Sequence, residues 1–280
     1  MKFFLSGLGN RFKNLTLITE AVIEADRLGF DGALMPDHYM WGERDWSRRP
    51  DNVTLETWVT LTYLAGKTEQ IRLGTIVTPI PFRPPGILAK MLSTLDILSG
   101  GRVVLGVGAG WSREEFEGYS KWNKPKVRVE KTKEGLELMI KLWTQDEVTF
   151  EGKYYQAKAA VLEPKPVQKP YPQLLFGGRG DQMLKLAGRY ADICYPLPRD
   201  YEKGKEKVLR SAKRVDRVDK IAFMAGALSS TTLYNKKEYF GKVEAAIETG
   251  ASYFLTPFPQ TEEFIDSMRR FAREVIPSFK

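Results

Sequence analysis

One pattern constrains the fold of this chain more than any other. Apolar runs with few polar interruptions alternate with longer segments that are apolar on only one helical face. The runs are KFFLSGL (2–8), GALMPDH (32–38), IRLGTIVTP (71–79), RVVLGVGAG (102–110), LLFGG (174–178), DICYPL (192–197), IAFMAGALS (221–229) and SYFLTPF (252–258). A strand with one wet face alternates apolar and polar residues. These runs do not, so both of their faces are expected to be buried, as in a parallel sheet covered by helices. Between the first two runs, Leu15, Ile18, Ala21, Val22, Ala25 and Leu28 share one helical face, and Gly29 closes it. Segments 57–68, 127–143, 238–250 and 262–275 repeat the theme, and 85–101 adds Pro near its start and Gly past its end. Eight strands, each followed by helix, predict a (β/α)8 TIM barrel, with an open doubly wound sheet as the alternative. Residues 1–280 are read as a single barrel domain.

Two stretches break the repeat. Residues 144–173 read as a hairpin, VTF and YYQA around Gly152, followed by a proline-rich connector with Pro164, Pro166, Pro170 and Pro172, inserted before the fifth strand. Residues 39–55, YMWGERDWSRRPDNVTL, form a long loop after the second strand. Loops at that end of barrel strands are where sites are built.

Composition narrows the chemistry. The single cysteine, Cys194, rules out an intrachain disulfide and multi-cysteine metal sites, and its apolar surroundings predict a buried, inert thiol. The single histidine, His38, rules out a site built from several histidines, and no metal is expected. The net charge of +8 is spread along the chain among acidic residues, with no basic run interleaved with aromatics, so no nucleic-acid partner is expected. No apolar run is long enough to span a bilayer, and MKFFLSGLGNRF is too short for a signal-peptide core. A cytoplasmic protein with no membrane partner is expected.

In a barrel the chemistry sits where the strands end. The second run ends in Asp37-His38, the third in Ile76-Val77-Thr78, the fourth in Gly108-Ala109-Gly110-Trp111, and the fifth in Gly177-Gly178-Arg179-Gly180. Histidine is the side chain whose ordinary pKa lies near neutrality, so His38 suits proton transfer or a bond to a ligand; a structural histidine tied to backbone is the alternative. The fifth run stops on glycines directly before a helix that begins at Asp181. Backbone without side chains can approach a phosphate closely there, and the helix N-terminus favours an anion; Arg179 could add charge, and a plain turn is the alternative. GVGAG (106–110) reads as a flat place for a ring system or, equally, as turn chemistry. Trp41, Trp46 and Trp111 would stand near the same mouth and suit a planar ligand or simple loop packing.

Several blocks in combination and order carry a family resemblance. They are LGFDGALMPDH, IRLGTIVTPIPFRPP, ILSGGRVVLGVGAGW followed by REEFEGY, LELMIKLWTQDEVTFEGKYY, and PKPVQKPYPQLLFGGRGDQMLKLAGRYAD. Together they cover nearly the whole chain, which resembles the luciferase-like monooxygenase superfamily of barrel enzymes that use FMN or the deazaflavin coenzyme F420. The resemblance implies that Asp37 and His38 are the catalytic pair beside the ring. It implies a non-prolyl cis peptide at Ile76-Val77, a ring-edge bond from Thr78, a ring platform at Ala109 and Gly110, and a phosphate cradle at Gly177, Gly178 and Gly180. The GAGW block and the GGRGD turn look more like the F420-using branch. That implies hydride transfer between coenzyme F420 and a small organic substrate, with FMN-dependent monooxygenation or non-catalytic cofactor binding as alternatives. The branch's sugar-phosphate dehydrogenases carry a Glu proton donor where Trp111 stands, which argues against a sugar phosphate here. The family also implies a homodimer.

Overall fold

The structure is a computed structural model and describes residues 1–9, 15–40, 54–259 and 261–280. Its centre is a closed parallel barrel. The strands are β1 (Lys2–Ser6), β2 (Gly32–Met35), β3 (Arg72–Thr75) with its continuation β4 (Thr78–Pro79), and β5 (Val103–Gly108). After an antiparallel hairpin of β6 (Val148–Glu151) and β7 (Gln156–Ala160) come β8 (Gln173–Gly178), β9 (Ile193–Pro196), β10 (Ala222–Gly226) and β11 (Tyr253–Pro257). First and last strands pair in register, Phe4 beside Leu255, and the ring runs on through β2, β3, β5 and β8. The barrel expected from the alternation is therefore observed, and the open sheet is excluded.

The packing explains the unbroken apolar runs. Phe4, Leu34, Val104, Leu175, Ile193, Tyr195, Met224, Tyr253 and Leu255 fill the barrel axis. Their neighbours along the strands, among them Phe3, Leu5, Ala33, Val103, Leu105, Phe176, Cys194 and Phe254, face outward into the helix layer. Side chains alternate across a strand, so burying both faces requires apolar residues at every position. The helix layer supplies Ile18 and Val22 from α1 (Leu15–Arg27), Leu61 and Leu64 from α2 (Thr57–Ala65), and Leu88 and Leu92 from α3 (Pro85–Leu98). Cys194 is 1 % exposed, and burial pushes its thiol up to about 12, an inert group as expected.

The insertion before β8 is a hairpin and connector, as read. Its second strand starts at Gln156 and not at Tyr154, because both tyrosine N–H groups turn to the carboxylate of Glu134 at 2.6 and 2.7 Å. Glu134 belongs to α5 (Pro125–Thr144), which pins the hairpin to the barrel wall. The strand expected over 221–229 ends at Gly226, where the backbone turns to positive φ. A short helix, α4 (Arg113–Tyr119), follows β5 and was not expected. The remaining helices are α6 (Asp181–Tyr190), α7 (Tyr201–Lys213), α8 (Lys236–Glu248) and α9 (Phe264–Glu274). Among the described residues, no helix is long and apolar enough to cross a membrane.

Candidate active site at the barrel mouth

Four strand ends, those of β2, β3, β5 and β8, and the N-terminal turns of α4 and α6 assemble the site. Asp37 and His38 follow β2, and they part company at once. Asp37 is 1 % exposed, and Arg83 grips both of its oxygens, Nη1 to Oδ2 at 2.6 Å and Nη2 to Oδ1 at 2.9 Å. The Thr78 hydroxyl donates to Oδ2 as well, at 2.8 Å. Burial alone would lower the Arg83 pKa, but the hydrogen bonds and charge of Asp37, with Tyr39 and Glu56 adding to them, hold it above its ordinary value. Tyr39 lies over the guanidinium at 5.0 Å, and burial pushes its phenol up to about 12 against the pull of Arg83. Asp37 is thus the anchor of a buried ion pair at the β2 exit. A carboxylate saturated by a bidentate partner and sealed from solvent has no lone pair aimed at a substrate.

Thr78 belongs to the same network. Its hydroxyl serves Asp37 and accepts the Trp58 indole N–H at 3.1 Å, and the residue is wholly buried. The side chain is held within that network.

His38 meets a residue that sequence reasoning passed over. Its Nδ1 lies 2.7 Å from Glu115 Oε2, with side-chain exposures of 11 % and 1 %. The other carboxylate oxygen, Oε1, accepts the main-chain N–H groups of Tyr39 at 2.8 Å and Met40 at 3.0 Å. Glu115 sits in the first turn of α4, whose N-cap is Ser112. Trp111 is 67 % exposed and stands edge-on to the imidazole, with centroids 5.7 Å apart. Trp41 and Trp46 lie outside the described residues.

The Ile76–Val77 peptide bond is cis. Both side chains cap the axial core. Val77 also explains two glycines. A Cβ on Gly108 would meet Val77 Cγ2 at 2.4 Å, and one on Gly177 would meet Cγ1 at 2.9 Å. The missing side chain at Gly177, expected as part of a phosphate cradle, thus makes room for Val77. Ala109 is half-buried beside them, and Gly110 takes φ +77 with no space for a Cβ against the Phe116 ring.

Gly178 and Gly180 differ. A Cβ at either would meet nothing within 4 Å, and Gly178 holds φ +154. Gly180 is the N-cap of α6, and no side chain caps that helix. A cleft lined by Gly178, Arg179, Asp200, Lys203 and Lys207 opens beside it. Lys207 pairs with Asp181 at 2.6 Å and holds that exposed carboxyl below its usual range. The open backbone of Gly178, together with Arg179, Lys203 and the uncapped α6 N-terminus, forms a donor set that suits a phosphate, with Lys207 held by Asp181. The residues present therefore fit a phosphate-bearing coenzyme.

The luciferase-like monooxygenase model matches residues 5–232, and the chain belongs to that family. It is 34 % identical over 176 residues to an F420-dependent glucose-6-phosphate dehydrogenase of Nakamurella multipartita, across 62 % of this chain and 50 % of that protein. It is 30 % identical over 169 residues to an FMNH2-dependent dimethylsulfone monooxygenase of Pseudomonas putida, across 60 % of this chain and 45 % of that one. The chain spans about half the length of these curated relatives. A solved F420-dependent secondary alcohol dehydrogenase, in complex with an F420-acetone adduct, superposes with TM-score 0.84 at 22 % identity over the full length of both chains. That likeness bears on the fold.

Proposed function

We propose that the chain is an oxidoreductase that transfers a hydride between coenzyme F420 and a small alcohol or its carbonyl product. The reading is carried by the glycine turn at 178–180, open against the α6 N-terminus and edged by Arg179, Lys203 and Lys207. That turn would hold the coenzyme phosphate, and the neighbouring lysines suit the acidic tail that F420 carries and FMN lacks. Ile76, Val77, Ala109 and Gly110 would support the ring at the top of the axial core. When bound, the coenzyme supplies hydride acceptance; the protein supplies binding, orientation and exclusion of water.

His38 would exchange the substrate hydroxyl proton. Trp111 offers an aromatic edge beside it, which favours a small, weakly polar substrate over a sugar phosphate. FMN-dependent oxygenation is the second reading, supported by the Pseudomonas relative and by a phosphate cradle that would serve either coenzyme. We further propose that residues 1–280 act as one catalytic unit in the cytoplasm, paired as a homodimer. Helix α2 buries Trp58, Leu61 and Leu64 and still exposes Val59 and Tyr63. A helix apolar on both sides calls for cover on its outer face, and sedimentation at twice the chain mass would meet that expectation.

The test follows the visible absorbance of oxidised F420 with a panel of small secondary alcohols. The wild-type protein is expected to bleach it. His38→Ala should bind the coenzyme equally well and turn over about 10²–10⁴-fold more slowly. Equal turnover by His38→Ala removes the histidine from the chemistry.

A further inference from the structure

We infer that Glu115 is the positioning residue of this site: it locks His38 in the Nδ1–H tautomer, which makes Nε2 the proton acceptor. Two main-chain donors, from Tyr39 and Met40, occupy Oε1, so Oε2 is the oxygen that faces His38 Nδ1 at 2.7 Å. An ionised carboxylate only accepts hydrogen bonds, so the proton in that contact belongs to the ring. The lone pair then resides on Nε2.

The inference deepens the hydride-transfer reading and rests on it for its chemical consequence. As a substrate alcohol is oxidised, its hydroxyl proton passes to Nε2. The carbon-bound hydrogen would leave with both electrons of its C–H bond, hydride acceptance being the chemistry that a bound coenzyme would supply. The O–H electron pair becomes the second carbon–oxygen bond. The imidazolium so formed keeps its Nδ1–H on the Glu115 carboxylate, which offsets the new charge. With the opposite tautomer Nε2 carries a proton already and accepts none.

The two main-chain donors also dictate what an amide would do. Glutamine has one acceptor oxygen and one NH2 group. At position 115 the Tyr39 and Met40 N–H groups draw the oxygen to themselves, and the NH2 group turns to His38. Nδ1 must then accept, and the ring proton moves to Nε2. A side chain that only fastened residues 39 and 40 to α4 would keep those two bonds after Glu115→Gln and leave the imidazole unaffected.

His38 is the only histidine in the chain, so nitrogen NMR on protein with isotope-labelled histidine reads its tautomer without further assignment. The wild type is expected as Nδ1–H, Glu115→Gln as Nε2–H, and Glu115→Asp, which keeps a carboxylate, as Nδ1–H. Turnover should fall about 10²–10⁴-fold in Glu115→Gln, with F420 affinity within about twofold of wild type, because the cradle is on another strand. A wild-type Nε2–H signal overturns the inference, and this needs no variant to fold. An unchanged tautomer in Glu115→Gln overturns it too. The expected tautomer pair in a protein that oxidises no alcohol upholds the grip of Glu115 on His38 and overturns the hydride-transfer reading.

Discussion

Asp37 and His38 are adjacent in sequence and meet opposite fates. The strand-end position marks both for chemistry. The partners decide otherwise: Arg83 takes Asp37 from 46 positions away, and Glu115 takes His38 from 77. Asp37→Ala should therefore behave as a stability lesion. Removing Asp37 leaves the buried Arg83 with Glu56 alone, at a cost of up to about 3–5 kcal/mol, and a urea titration should report an unfolding free energy lowered by about that amount. An unchanged midpoint with lost turnover would return Asp37 to the chemistry. Strand order alone could not reveal these pairings. Glu115 was hidden further, because Ser112-Arg113-Glu114-Glu115 has the spacing of a helix capping box. Ser112 does accept the Glu115 N–H, at 3.5 Å, while the carboxylate is spent on the β2 exit. A glutamate beside a phenylalanine in an otherwise exposed turn was the available signal.

At the scale of elements, the barrel strands were legible because each is apolar on two faces. Helix α4 was not: among its seven residues only Glu115 and Phe116 are buried, too few turns and too polar a face for periodicity to show. The glycine-rich end of β8 was read as a unit, and the structure divides it. Gly177 yields space to Val77, whereas Gly178 and Gly180 border open space. The distinction depends on the turn at 76–77, which only the closed barrel brings alongside. Gly180→Asp tests the cradle cleanly. Gly180 has an ordinary extended backbone at φ −72, and aspartate is a favoured N-cap that suits the helix dipole. Stability should hold or rise slightly in thermal unfolding. The new carboxylate would take the α6 N–H groups and repel a phosphate, so affinity for a phosphate-bearing coenzyme should fall at least about tenfold, or about 1.4 kcal/mol. Unchanged affinity would place the phosphate elsewhere.

Across the whole molecule, burial of titratable side chains also fixes a response to alkali. Burial raises the Cys194 thiol from 9.0 to about 12, and it raises the phenols of Tyr39, Tyr155 and Tyr239 from 10.0 to about 12. Each group holds its proton more tightly folded than unfolded. Each therefore contributes stability that is complete below its unfolded pKa and is lost as pH rises through the folded value. Urea midpoints should hold steady up to about pH 9 and fall steadily toward pH 12; a flat profile across that window would mean that these groups are hydrated in solution. The barrel, its hairpin insertion and its family follow from patterns spread over the chain. The tryptophans expected at the mouth sit partly in a stretch, 41–53, outside the described residues, and the side chains that choose the substrate are drawn from such loops.

The central claim is that the glycine turn and its lysines hold F420 in preference to FMN. Titrating cofactor-free protein with each, and following fluorescence quenching, tests it most directly. Saturable F420 binding that weakens as salt is added is expected, with FMN bound at least about tenfold more weakly. Tight binding of FMN with none of F420 would contradict it and move the chemistry to oxygen.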